Sequence, residues 1–540
     1  MTSSKNYKFL FPIITALILI LGIQLGIKIA EYGNEKPSFF STHEFDIWDE
    51  ILNVIDAKYI EGVDRNTLKE KTIREMIGNL DPHSFYISQQ DIKQINESLS
   101  GNFEGIGVEF QILNDTIQVI TPITGGPSEA LGIQAGDKIV YIEDSLVAGT
   151  GITNRVVMEK LRGERNTNVQ IKIYRPGFTD LLTFDITRDK IPINSIESSY
   201  MVDNETGYIK LSRFSANTYE EFAGALNNLV MSGMQRLIVD VRQNPGGYLT
   251  AATKIAEEFI EPRRLLVYTE GRTYRRNNYM SRSIGQFENG PLVILIDEGS
   301  ASASEILAGA VQDWDRGLII GRKSFGKGSV QEQYTLSDGS ALRLTIAKYY
   351  TPSGRSIQKP FKKMAEENIF SENSEDTLQV VDQQVFYTSA NRVVYGGGGI
   401  TPDFLVERDT SFNLQLFARI RNEIPSFIYT NYTTKVKTEV DAYTEFNSFL
   451  SNYTVSDKLF NELMERASAK NNKFKENEIS EIEDRLKVWM KAYIARQKFG
   501  REYFYPVINT TDEIFLRALE EINDLPPSGS ILDVQFESLN

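Results

Sequence analysis

The stretch from Leu292 to Trp314 constrains the fold more than any other part of the chain. An apolar run, Leu292 to Ile296, leads into the small-residue turn Gly299-Ser300-Ala301-Ser302-Ala303-Ser304-Glu305, and that turn opens a helical stretch, Ile306 to Trp314. A strand passed into a helix through a tight turn is the repeating unit of an α/β domain. The unit recurs. Strand-like runs at Gly207 to Leu211, Arg236 to Val241, Leu265 to Tyr268, Gly317 to Ile320 and Ala341 to Tyr349 alternate with helical spacing at Tyr219 to Met231 and Thr250 to Ile260. Residues 190–409 therefore read as one α/β body.

The other regions have different periods. Residues 43–100 show helical spacing, as in Trp48, Ile51, Leu52 and Ile55, then Ile73, Met76 and Ile77, with a break at Asp81-Pro82-His83-Ser84. Their apolar faces also suit a homodimer contact. Residues 101–189 switch to short strands with glycine turns, a small β-rich module. Residues 410–540 are helical and heavily charged, clearest at Leu459 to Ala467 and Ile479 to Tyr493. At 540 residues the chain exceeds what one core supports, so a multidomain α+β and α/β protein is expected. At the N-terminus, Lys5 and Lys8 precede an apolar run from Phe9 to Ile27, which reads as an uncleaved signal anchor over 9–29 with residues 1–8 cytoplasmic. The expected location is the inner membrane, single-pass, with the rest of the chain facing the periplasm. After the linker Glu31 to Thr42, the one other excursion is the acidic stretch Met364 to Thr377.

Composition narrows the chemistry. With 58 Lys and Arg against 73 Asp and Glu, the net charge of −15 argues against a nucleic-acid surface. No cysteine is present, which excludes disulfides and a thiolate nucleophile. The two histidines are His43 and His83, no His/Asp/Glu cluster has metal spacing, and no glycine turn carries the lysine of a phosphate loop, so no cofactor is expected. A serine at a strand-to-helix turn lies beside backbone N–H groups and a positive helix end, which suits an oxyanion. Ser302 leads the three serines, although Ser302 to Glu305 equally fits an S-x-x-E capping box. A serine hydroxyl needs a base, and with histidine scarce the search turns to a desolvated lysine. Lys327, framed by Gly326 and Gly328, is the candidate, with Lys323 the competitor and Gln331 placed to orient the amine. The turn after Val241, Gln243-Asn244-Pro245-Gly246-Gly247, could pair a backbone N–H with that of Ala303 as an oxyanion hole. In the small module, Gly105-Ile106-Gly107-Val108 could hold a peptide's terminal carboxylate, or be a plain turn.

Taken together these segments resemble the carboxyl-terminal processing peptidases, or tail-specific proteases, of the serine/lysine type. Gly105 to Val108, Gly126-Pro127-Ser128 and Ala135-Gly136-Asp137 are similar to a PDZ domain, while Asp240 to Gly247, Gly299 to Glu305 and Ser324 to Gln331 resemble the three motifs of the protease core. The resemblance implies a crotonase/ClpP-like core with an inserted PDZ domain, Ser302 as nucleophile, Lys327 as general base and Gln331 as its positioner. It also implies backbone oxyanion donors at Ala303 and at Gly246 or Gly247, and protein substrates with accessible C-termini. The expected activity is that of a serine endopeptidase. A catalytically silent PDZ scaffold and a crotonase-type acyl-CoA enzyme are the other readings.

Overall fold

The computed structural model describes residues 15–16, 18–24, 47–361, 384–470 and 474–531. Residues 1–8, expected to be cytoplasmic, the linker Glu31 to Thr42, His43 and the acidic stretch Met364 to Thr377 lie outside these. The expected single-pass anchor over 9–29, and the inner-membrane, periplasm-facing location drawn from it, are corrected: among the described residues no helix is long and apolar enough to cross a membrane.

The chain divides into two units, residues 1–76 and 77–540. In the first, the helix Ile47–Lys58 leaves Ile47, Trp48, Ile51 and Val54 exposed and buries Leu52. Arg65, which opens the next helix, donates to Asn53 Oδ1 and Asp56 Oδ2 at 3.1 and 3.2 Å.

The second unit begins with β1 (Phe85–Ile87), the helix Gln89–Ser100 and β2 (Asn102–Gly105). The small module comes next: β3 (Val108–Leu113), β4 (Thr116–Pro122), β5 (Lys138–Ile142), β6 (Ser145–Leu146), β7 (Asn168–Tyr174) and β8 (Leu182–Thr187) form one sheet around Ile117, Ile139, Ile171 and Ile186. Every pairing in it is antiparallel. The helix Asn154–Leu161 packs Val157 and Leu161 into that core, and β3 has β4 as its one strand neighbour among the described residues, so its other edge carries no strand. β9 (Asp189–Pro192) returns the chain against β2.

The central sheet contains β10 (Ile196–Met201), β11 (Thr206–Leu211) and β12 (Arg236–Asp240). After β13 (Leu265–Glu270) and β14 (Asn277–Met280), it resumes with β15 (Leu292–Ile296) and β16 (Leu318–Gly321). β17 (Ser329–Thr335), β18 (Ala341–Tyr350), the hairpin β19 (Val385–Tyr387) with β20 (Val393–Tyr395), and β21 (Phe404–Leu405) complete the strands. β11, β12, β15, β16 and β21 run parallel and β10 pairs antiparallel with β11. Alternate residues along a strand face opposite sides. Leu237, Val239, Ile294 and Ile319 therefore meet the helices Thr218–Met231, Leu249–Glu257 and Ala303–Asp313. Ile238, Val293, Leu295 and Ile320 meet Ile514, Phe515, Ala518 and Ile522 of the helix Glu513–Asp524. A second, antiparallel sheet brings β1, β13 and β17 onto β18. Helical spacing around residues 81–84 gave no sign of β1, which is three residues long and exists through its pairing with β18. The helices from Leu414 to Phe499 have a core of their own, including Ile420, Phe449, Leu463 and Met490.

Candidate active site

The helix Ala303–Asp313 begins where β15 ends, and its cap is Ser302, held at φ 55° and ψ −111°. A non-glycine residue in that region is strained, and such strain persists where surrounding bonds over-determine it. Here the surroundings do so. Ser300 Oγ accepts from Asp297 N–H at 2.9 Å and donates to the Val241 carbonyl at 2.8 Å, and Ser304 Oγ donates to the Asn244 carbonyl at 2.9 Å. Both hydroxyls are buried and committed to stitching this turn to the one after β12. Ser302 forms a capping box with Glu305, yet its hydroxyl donates to no acceptor among the described residues. The three serines that sequence alone separated weakly differ in this one respect.

Glu305 joins the two halves of the site. Its Oε2 accepts the N–H of Ser302 at 2.8 Å and of Lys327 at 2.9 Å, while Oε1 accepts the Ser324 hydroxyl at 2.5 Å and the Gly326 N–H at 2.7 Å. Burial pushes its carboxyl up to about 7 against these four donors. The Tyr349 hydroxyl adds a second bridge, its one proton shared between the carbonyls of Lys327 at 2.6 Å and Ser302 at 3.0 Å. Sequence reading treated Glu305 as a cap and Tyr349 as the end of a strand. The S-x-x-E spacing was a usable signal for Glu305, but nothing local marks Tyr349.

Lys327 is largely buried, and its ammonium has no hydrogen bond or ion pair among the described residues. Burial, then the charge of Arg343, lower its pKa below the ordinary lysine value, while Glu305 and Asp81 oppose the shift. The flanking glycines serve close approach to neighbouring loops: a Cβ on Gly326 would meet the Gly399 nitrogen at 3.1 Å, and one on Gly328 the Gln358 nitrogen at 2.9 Å. Gln331 lies on β17 opposite Thr345, and its Nε2 donates to Ser329 Oγ at 2.7 Å; the structure does not bring its amide onto Lys327. Instead the Asp81-Pro82-His83-Ser84 turn reaches this neighbourhood. Asp81 Oδ1 accepts the Thr345 hydroxyl at 3.1 Å, and His83 packs edge-on to Phe361 at 6.1 Å with a buried Nε2 that has no partner among the described residues. Burial, then the Lys327 charge, hold that imidazole below its ordinary pKa.

The turn after β12 faces Ser302. A Cβ on Gly246 would lie 2.8 Å from both Ser302 Cβ and the Ala303 nitrogen. The Gly246 N–H itself donates to Asn244 Oδ1 at 2.9 Å. The N–H groups of Gly247 and Ala303 donate to no group among the described residues. Beneath this turn is a buried charge cluster: Asp240 Oδ1 accepts from Lys210 at 3.0 Å, and Arg242 spans Asp240 at 2.6 Å and Asp512 at 2.7 Å. Burial opposes the Arg242 charge, but Asp240 and Asp512 outweigh it and raise its pKa.

In the small module, Ile106 is buried, and its carbonyl accepts the Ser128 hydroxyl at 2.6 Å. The Gly107 carbonyl accepts the Ile123 N–H at 2.9 Å, and Gly107 has φ 74°. The N–H groups of Ile106 and Gly107 donate to no group among the described residues, and Gly105 and Val108 end β2 and begin β3 on either side.

Residues 205–365 match the model of Peptidase family S41, and residues 418–500 that of a family of unknown function, DUF8443. The carboxy-terminal processing protease CtpB of Bacillus subtilis is 36% identical over 314 residues, covering 58% of this chain and 65% of that protein. The carboxy-terminal-processing protease of Bartonella bacilliformis is 35% identical over 331 residues, covering 60% of this chain and 74% of its own length. Among solved structures, the photosystem II D1 C-terminal processing protease is 29% identical with a TM-score of 0.35, covering 58% of this chain and 89% of that one. The chain belongs to the carboxy-terminal processing proteases of peptidase family S41, a family of serine-type peptidases.

Proposed function

We propose that this chain is an endopeptidase that cleaves proteins captured by their free C-termini, with Ser302 as nucleophile and Lys327 as general base. The observation that carries this reading is the hydroxyl of a strained Ser302, whose proton no described acceptor takes, tied through Glu305 to the backbone of a desolvated lysine. A lysine kept out of water and near Arg343 holds its proton weakly, so the neutral amine is available to accept the Ser302 proton. As Oγ bonds to the scissile carbonyl carbon, the carbonyl oxygen takes the negative charge. The N–H groups of Gly247 and Ala303 are the free donors beside Ser302 that can receive it. Collapse expels the amine, which takes the proton from the Lys327 ammonium. Water then adds to the acyl-enzyme by the same route and releases the acid. With Gly246 N–H held by Asn244, its contribution is to let the turn lie against Ser302.

Gln331, whose amide meets Ser329 rather than Lys327, takes no step in this chemistry. The parallel sheet with its covering helices supports a crotonase/ClpP-like core, and the antiparallel module with its unpaired β3 edge supports a PDZ domain. A substrate tail would add as a strand along β3, its carboxylate at the N–H groups of the Gly105 to Val108 turn.

The test is turnover of an unstructured protein by wild type, Ser302→Ala and Lys327→Ala. Each substitution is expected to lower kcat by about a thousandfold or more. Full activity in either variant sinks the assignment. A silent scaffold would instead bind C-terminal peptides while leaving a serine-reactive probe unincorporated.

A further inference from the structure

The region beyond residue 410 has no place in the chemistry of Ser302 and Lys327, yet it contributes to the cluster beneath the catalytic turn. The helix Glu513–Asp524 lies on the central sheet, and its N-cap is Asp512, whose side chain accepts the Phe515 N–H at 2.8 Å. The same carboxylate takes both oxygens to Arg242 Nη1, at 2.7 and 2.9 Å. Arg242 reaches Asp240 with Nε at 3.0 Å and Nη2 at 2.6 Å, and Asp240 also receives Lys210 and the Tyr208 hydroxyl, the latter at 2.8 Å. Two cations, the buried Lys210 and the part-buried Arg242, thus face two carboxylates. Only one of these carboxylates belongs to the catalytic turn's own strand. Without Asp512 the cluster would hold one uncompensated positive charge in a largely desolvated place, which such a site accommodates poorly.

Arg242 is the residue through which β12 enters the catalytic turn. Gln243 adopts φ 56° and is held by Asp297, Asn244 secures Gly246 and accepts from Ala301 and Ser304, and Gly247 bridges Phe214, so Arg242 anchors the entry of a turn that Asp297, Ser304 and Phe214 hold further along. The Lys210 ammonium further grips the Arg242 carbonyl at 2.6 Å. We infer that Asp512 is a positioning residue for catalysis: from the C-terminal region it pins Arg242, and through Arg242 it holds the Gly247 N–H at the place where the oxyanion forms. Asp512, the cap of the C-terminal helix, is then, among the described residues, the one point through which that helix bears on the turn. This inference rests on the Ser302 and Lys327 reading and deepens it.

The experiment uses the full chain. Asp512→Asn keeps a side chain that caps a helix as well as Asp does and removes the charge. Its kcat is expected to fall about 10- to 100-fold with KM within about twofold, the pattern of a lost transition-state interaction. Asp512→Glu, which restores the charge, is expected to recover most of that loss. Ile522→Val loosens the same helix without touching the cluster and is expected to lower Tm while leaving kcat unchanged. The inference is overturned if Asp512→Asn keeps wild-type kcat, or unfolds at the assay temperature. It is also overturned if kcat falls in Ile522→Val in proportion to Tm, since Asp512 then serves folding alone. Failure of the underlying reading is separately visible, as turnover persisting in Ser302→Ala.

Discussion

At the scale of single residues, the site works by fixing what each donor and acceptor has left to offer. Ser300 and Ser304 spend their hydroxyls on backbone carbonyls, so Ser302 alone of the three keeps a proton to give. Which serine that would be was not legible in an alternating run of serines and alanines, because the deciding carbonyls, of Val241 and Asn244, come from a turn about sixty residues earlier. Arg343 likewise became visible only through its charge on Lys327. Arg343→Gln removes a positive neighbour, so the lysine holds its proton more tightly and its pKa rises. The rising limb of the kcat/KM against pH profile should then move to higher pH, with lower activity near neutrality and recovery in alkali; an unmoved limb would separate Arg343 from the base. Glu305 offers a stability test. Its folded pKa of about 7 exceeds the ordinary 4.5, so the folded chain binds the proton more tightly than the unfolded one. The stabilisation is complete below pH 4.5 and is lost as pH rises through about 7, in all about 3 kcal/mol. Glu305→Gln does not titrate and should flatten that part of the denaturant-unfolding profile. Its amide would also turn N–H groups toward N–H donors, and about a hundredfold loss of kcat is expected.

At the scale of elements, the strand, turn and helix from Leu292 to Trp314 is what sequence patterning reads best, and it is present as β15 followed by the helix Ala303–Asp313. Local signals sufficed because an apolar run and a capping box act within a few residues of each other. The turn after β12 was also legible as a turn, from Pro245 and its two glycines. Its tightness was not. A Cβ on Gly247 would fall 2.0 Å from the Phe214 carbonyl oxygen, at φ 147°. Gly247→Ala should therefore displace the turn and abolish turnover while the small module still binds C-terminal peptides; fluorescence titration with a labelled peptide reads the second half. Retained turnover would show that this N–H does not serve the oxyanion. The β1 strand shows the opposite case, since three residues carry no usable period and pair only because β18 offers an edge.

At the scale of the whole second unit, helices cover one face of the central sheet and the C-terminal helix covers the other. Phe515 is 3% exposed against Tyr208 and its neighbours, with ring centroids 5.5 Å apart. Phe515→Ala should cost about 3–5 kcal/mol, read as a lower denaturant midpoint for the protease core itself. A midpoint change confined to the helices 414–499 would contradict that packing. The same region reaches the small module, where Arg496 grips both oxygens of Glu109 on β3 at 2.6 and 2.7 Å. Arg496→Met should raise hydrogen exchange along β3, and unchanged protection would make this pair incidental. The sequence by itself determined the order of helical, β-rich, α/β and helical regions, the turns that carry Ser302 and Lys327, and the absence of thiol chemistry, because periodicity, turn residues and composition are local properties. Tertiary structure alone decided that Glu305 and Tyr349 tie the backbone of Ser302 to that of Lys327, that Gln331 turns to Ser329, that His83 lies near Lys327, and that Asp512 reaches Arg242 below the turn after β12. Those facts depend on burial and on partners far apart in the chain, and neither is written in the spacing of neighbouring residues.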